Sequence, residues 1–202
     1  MTISTQLMSR VRTNIFESTA ATGEVSRTDA EIYVWLNDAQ HDYVSKLPPA
    51  AFPELLEKSA ATTFPWTVPA NFSEIVEVLV SHTVSGTVAI MEPAFWLEPD
   101  QSYLSLRWTD GLGAWAKFEK MGTALVVDAG PQSTTGFVIY RRAPTSINGT
   151  NLPCDLGDEH DDAIVNRATA FALQKINDAD ADFYIKAYEA RVAAERAKSG
   201  VK

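Results

Sequence analysis

Cysteine is almost missing, since Cys154 is the only one in 202 residues. A disulfide within the chain is thereby excluded, and a cysteine-based zinc site within one chain would lack ligands. Histidine is nearly as scarce. His41, His82 and His160 are the only three, and no two of them stand at the spacing by which a helix presents a His pair to a metal. Cationic charge is also short, with 17 Lys and Arg against 26 Asp and Glu and a formal net charge of -9. Nonspecific nucleic-acid binding rests on cations displacing counterions from phosphates, so a general affinity for DNA or RNA is not expected. No apolar run approaches the ~20 residues that span a bilayer, and Met1-Thr2-Ile3-Ser4-Thr5 carries no basic stretch followed by an apolar core. The expectation is a soluble, unsecreted protein in a reducing compartment, with no membrane partner.

Apolar residues are plentiful at 46%, enough for a substantial core without metal or disulfide. Their period changes twice. Ile32, Leu36, Ala39, Tyr43 and Leu47 recur at helical spacing. From about Val68 to Ile139 the pattern alternates in short runs such as Glu74 to Val80, Tyr103 to Trp108, Ala124 to Val127 and Gly136 to Tyr140. From about Asp158 it is helical again. The fold class this implies is α+β, a helical bundle from the N- and C-terminal arms with an inserted antiparallel β-domain. Residues 1–66 and 145–202 are assigned to the bundle and residues 67–144 to the insert. Antiparallel pairing is expected because no segment between the strands looks like a crossover helix.

The helix ends can be read from capping residues. Ser4 is expected to cap a first helix carrying Leu7, Val11 and Ile15, and Ser26 a second that runs to Pro48-Pro49. Ala51 to Lys58 reads as a further helical turn. Asp158 is expected to cap a helix with Ile164, Ala168 and Phe171. Asn177 interrupts it before an Ala-rich last helix whose apolar contacts are Phe183, Tyr184, Tyr188 and Val192.

Fragments that imitate catalytic motifs fail on chemistry. Asp178, Asp180, Asp182 and Glu189 match calcium-loop positions, but Phe183 stands where the sharp turn needs Gly. Gly111-Leu112-Gly113-Ala114-Trp115-Ala116 fits a permissive dinucleotide fingerprint, yet leads into strand-like sequence with no helix N-terminus for a pyrophosphate. His160-Asp161-Asp162 lacks the further His ligands of a metal phosphohydrolase, and His160 is expected to face solvent in the first turn of a helix. Cys154 would act as a nucleophile only beside a histidine. No catalytic, cofactor-binding or metal-ligating residue is assigned.

The order and spacing of several segments nonetheless resemble a known family, the head-to-tail connector adaptors of tailed bacteriophages, podophage type. The segments are Trp35-Leu36-Asn37-Asp38-Ala39-Gln40, Thr67-Val68-Pro69-Ala70-Asn71-Phe72, Phe137-Val138-Ile139-Tyr140-Arg141-Arg142-Ala143-Pro144, Asp161-Asp162-Ala163-Ile164-Val165 and Tyr188-Glu189-Ala190-Arg191. The resemblance implies a virion structural protein, not an enzyme, assembled in the host cytoplasm. Such a protein forms a ring, typically dodecameric, below the portal protein. It extends the channel through which genomic DNA passes without sequence-specific binding, and it carries tail or nozzle proteins. A C-terminal helix and tail that dock on the portal place Tyr188, Arg191, Arg196 and Lys198 at that interface. Trp96, Trp115, Arg141 and Arg142 are the residues assigned to a ring or tail interface. Two other readings stay open: a tail or neck binding module, and a hydrolase of cell-wall carbohydrate using Glu92 with Glu98, or Glu74 with Glu77.

Overall fold

Thr28 opens the best-defined helix of the protein. Its hydroxyl accepts from the Glu31 amide at 3.3 Å while the Glu31 carboxylate accepts from the Thr28 amide at 3.1 Å, a reciprocal capping box. The cap of the helix it starts, α2 (Asp29–Ser45), therefore stands two residues beyond Ser26, the cap expected from sequence. The computed structural model describes residues 4–19, 27–61, 66–84, 88–93, 95–96, 117–121, 124–128, 136–149 and 155–199. Ser26 lies outside these, as do Cys154, Trp115, Glu98 and the Tyr103 to Trp108 run.

The chain divides into two compact units, Met1–Leu55 with Ala143–Lys202, and Leu56–Arg142. The first is a helical bundle. Besides α2 it contains α1 (Ser4–Thr19), α3 (Asp161–Gln174) and α4 (Ala181–Lys198). Helix α3 packs against each of the other three. Leu7, Val11 and Ile15 from α1 meet Ile32, Leu36 and Tyr43 from α2, Ile164 and Ala168 from α3, and Tyr188 and Val192 from α4 in one buried cluster. The apolar spacing read from the sequence is the spacing of this core.

Three local features depart from expectation. Pro48, Pro49 and Pro53 fix φ and remove amide donors, so residues after α2 form only the 3-10 turns Pro49–Ala51 and Pro53–Leu55. The chain then extends as β1 (Leu56–Ala61) instead of continuing helically to Lys58. Asp158 caps no α-helix. It starts the 3-10 turn Asp158–His160, and α3 begins after it. Phe183, expected inside the bundle, is 68% exposed. The inward face of α4 is Ala181, Tyr188, Val192 and Glu195, and at about 100° per residue Phe183 falls well off that face. Asn177 behaves as expected. It ends the α3 segment with a φ of 54°, a left-handed conformation that asparagine tolerates.

The second unit is built of strands β1, β2 (Trp66–Thr67), β3 (Phe72–Val84), β4 (Val88–Pro93), β5 (Phe95–Trp96), β6 (Lys117–Met121), β7 (Ala124–Asp128) and β8 (Gly136–Arg142). They form two four-stranded sheets, ordered β1-β8-β3-β4 and β2-β7-β6-β5. Every pairing among the described residues is antiparallel except β5 with β6, which run parallel over Phe95–Lys117 and Trp96–Phe118. Tyr140 on β8 joins the sheets, its ring 5.7 Å from Trp66 and 5.8 Å from Phe72. Register shifts in β3 between Phe72 and Glu74 and between Ile75 and Glu77 interrupt its ladder with β8.

The return from strand to helix is held by α2. Asn37 Nδ2 donates to the Ile147 carbonyl at 2.9 Å and Asn37 Oδ1 accepts from the Ile147 amide at 2.7 Å. Gln40 Nε2 donates to the Thr145 carbonyl at 3.0 Å. A side-chain amide presents both donors and an acceptor, so Asn37 satisfies the amide and carbonyl of Ile147 much as a neighbouring strand would.

Candidate functional site

Helix α4 is the element to which both sequence pattern and resemblance point, and its attachment decides which of its residues a partner can reach. Tyr188 is fully buried. Its hydroxyl donates to Asp42 Oδ2 at 2.8 Å, and the same oxygen accepts from Arg167 Nε and Lys46 Nζ, each at 3.0 Å. Burial raises the Asp42 pKa, but the Tyr188 and Lys46 hydrogen bonds with the Arg167 and Lys46 charges outweigh it, so the carboxyl lies below its ordinary range. The phenol is pushed the other way, upward, by burial and by the carboxylate it serves.

Behind Tyr188 lies an aromatic cluster. Tyr43 sits 6.0 Å from Tyr188, 5.7 Å from Phe52 and 5.5 Å from the His160 ring. His160 is 4% exposed, and its Nδ1 lies 3.1 Å from the Tyr43 hydroxyl. The expectation of a solvent-facing His160 is therefore corrected. The 3-10 turn before α3 rotates the side chain inward, where Tyr43 and Phe52 accept it. Burial holds the His160 pKa below the ordinary value, against the pull of Glu159, Glu54 and Glu195. Burial likewise raises Tyr43, to about 12.

The far half of α4 is fastened by polar contacts. Arg191 donates to the Glu159 carbonyl at 2.6 Å and pairs with Glu195 at 3.1 Å. Lys198 Nζ reaches Glu195 Oε1 at 2.8 Å. Glu195, 8% exposed, is raised by burial but lowered further by Lys198 and Arg191, so its pKa is depressed overall. Arg196 Nε donates to the Lys46 carbonyl at 3.0 Å and so satisfies an open acceptor at the end of α2.

Residues 1–201 match the family model described as SU10 adaptor protein. The chain belongs to the SU10 adaptor protein family. No curated protein matches the sequence. Membership makes the chain a bacteriophage adaptor, a structural component of the virion, from a family of structural proteins and not a known enzyme family.

The adaptor distributes the eight residues singled out from its sequence over both units. Tyr188 is fully buried and its hydroxyl is engaged by Asp42, so at most the ring's edge is offered at the floor of the adjoining groove. Arg191 is half-buried by its grip on Glu159, whereas Arg196 and Lys198 are exposed. In the sheet unit, Arg141 is 5% exposed and pairs with Glu74 at 2.7 Å, so the protomer itself uses that guanidinium. Arg142 reaches Glu57 at 3.2 Å and keeps more exposure. Trp96 lies on β5; Trp115 is outside the described residues. Glu74, one of the carboxylates considered for a hydrolase, is the partner of Arg141. Among the described residues, no cluster of His, Cys, Asp and Glu could hold a metal, and no helix is long and apolar enough to cross a membrane.

Asp42, Lys46 and Tyr43 were missed as the anchor of α4. The i, i+4 spacing of Asp42 and Lys46 was visible in the sequence, but nothing there joins them to Tyr188 or Arg167.

Proposed function

We propose that the adaptor is a head-to-tail connector of podophage type, forming a ring, dodecameric by resemblance, below the portal protein. The ring extends the DNA channel and carries tail or nozzle proteins. The observation that carries this reading is the match to the SU10 adaptor protein family over residues 1–201. The physics is compatible with it. A heterologous interface that closes by rotation makes a ring, and an acidic protein of net charge -9 lets phosphate slide past where a basic lumen would hold it by counterion release. Exposed Arg196 and Lys198, with the half-exposed Arg191, are the remaining candidates for the portal contact. Arg142, Trp96 and Trp115 are those for ring or tail contacts.

Electron microscopy of the purified protein mixed with its portal particles tests the reading. An added ring of density on one end of each portal is the expected result. Unmodified portals at saturating adaptor would refute it.

A further inference from the structure

We propose that neighbouring copies join through a knob and a groove: Phe183 of one copy seats in a groove beside α4 of the next. The inference rests on the ring reading and names its seam. Phe183 is the most exposed large apolar side chain among the described residues, at 68%, and it leans edge-on against Tyr184 with ring centroids 5.2 Å apart. Its surroundings are polar side chains of α1 and α3, among them Arg10, Asn14 and Asn166. A ring held this far out has most of its apolar area available for burial against another molecule.

The groove lies on a different flank of the bundle, between the second half of α4 and the end of α2. Val192, Ala193, Ala197 and the buried Tyr188 form its wall, and its charged lining is Lys46, Arg196 and Glu189. Its volume of about 560 Å³ is within the ~300–1,000 Å³ of sites that enclose small ligands, ample for one aromatic ring. Charge fits the same pairing. Asp180, one helical turn before Phe183, and the adjacent Asp182 are both exposed acids, and they would meet Lys46 and Arg196. Lys186, one turn after Phe183, would meet Glu189 at the groove. Copies of net charge -9 repel on average, so a groove with two cations to one acid is a favourable place to receive an acid-flanked knob.

Phe183 and Ala193 stand about 15 Å apart along α4 at 1.5 Å per residue, and the two features border different helices. Knob and groove are thus separate surfaces, and where the ring reading holds, the pairing runs head to tail and propagates from copy to copy instead of closing as a reciprocal dimer.

The test uses the full chain carrying Phe183→Ser, which removes the knob, or Ala193→Trp, which fills the groove, with Ala197→Trp as a second groove variant. Unchanged circular dichroism and melting confirm folding, since all three side chains are on the surface. Sedimentation across a concentration range, alone and with portal particles, should show self-association weakened at least about tenfold for each variant. Mixing Phe183→Ser with Ala193→Trp should give a species of twice the monomer mass and nothing larger, because one intact knob then faces one intact groove. Wild-type rings from both variants would overturn the seam while leaving the ring reading standing. Rings that form normally with Phe183→Ser but no longer bind portals would assign Phe183 to the portal contact and overturn the seam. Wild-type protein that stays monomeric alone and on portals would overturn the ring reading itself, and the seam with it.

Discussion

The Tyr188 hydroxyl and the Asp42 carboxylate meet at 2.8 Å, tying the last helix of the chain to α2 through a carboxylate that Arg167 and Lys46 also serve. Tyr188→Phe keeps the buried ring and removes only the donor. A hydrogen bond to a charged group contributes about 1.5–3 kcal/mol, and Asp42 retains two partners, so a loss near the lower end is expected in urea unfolding. Tyr188→Ala should cost about 3–5 kcal/mol through the cavity. Portal binding by the folded Phe variant should be unchanged. Its loss at wild-type stability would return the Tyr188 hydroxyl to the interface.

Acid should destabilise the bundle in two stages. His160 has a depressed pKa in the folded protein, so as pH falls below about 6.5 the unfolded chain takes up a proton that the folded one resists, and stability declines. Asp42 and Glu195, also depressed, contribute stability that is present above about pH 4 and lost as pH falls through their folded values. In chemical unfolding followed against pH, His160→Gln should be less stable than wild type but flat over the upper stage. A wild-type curve already flat between pH 6.5 and 4.5 would contradict the burial of His160.

Arg141 and Arg142 adjoin in sequence but should respond differently to substitution. Arg141→Ala strips a buried cation from Glu74, which is itself half exposed, and should lower stability by about 1–3 kcal/mol. Arg142→Ala removes a more exposed pair with Glu57, for less than about 1 kcal/mol. Thermal unfolding distinguishes them. Equal losses would mean that the second guanidinium also supports the sheet.

Truncation must respect the packing of α4. Deleting residues 191–202 removes buried Val192 and Glu195 and the Arg191 grip on Glu159, so that protein should be markedly less stable. Deleting only residues 197–202 keeps those contacts and removes the Lys198–Glu195 pair, whose lysine is largely exposed, so it should melt close to wild type. If Lys198 and the residues after it dock on the portal, co-sedimentation with portal particles should fall at least about tenfold. Full binding by this shorter deletion would remove the tail from the portal contact.

The sequence by itself determined the α+β architecture and most of the bundle core. Leu7, Val11 and Ile15 on α1, like Ile32, Leu36 and Tyr43 on α2, follow a period that only one helix face can satisfy, and burial of that face is local geometry repeated. Gly136 to Tyr140 alternated for the same kind of reason. Helix starts were legible only approximately, because Ser26 and Thr28 are both good caps and the choice fell to the residue whose partner three places on is Glu31. Tertiary structure alone decided the rest. Nothing in the order of residues says that Asp42 gathers Tyr188, Arg167 and Lys46, that His160 turns inward onto Tyr43, or that Arg141 is spent on Glu74 while Phe183 is left outside. Periodicity records which face of an element is apolar, but a buried polar group is placed by its partners, and those are brought together only when distant segments pack.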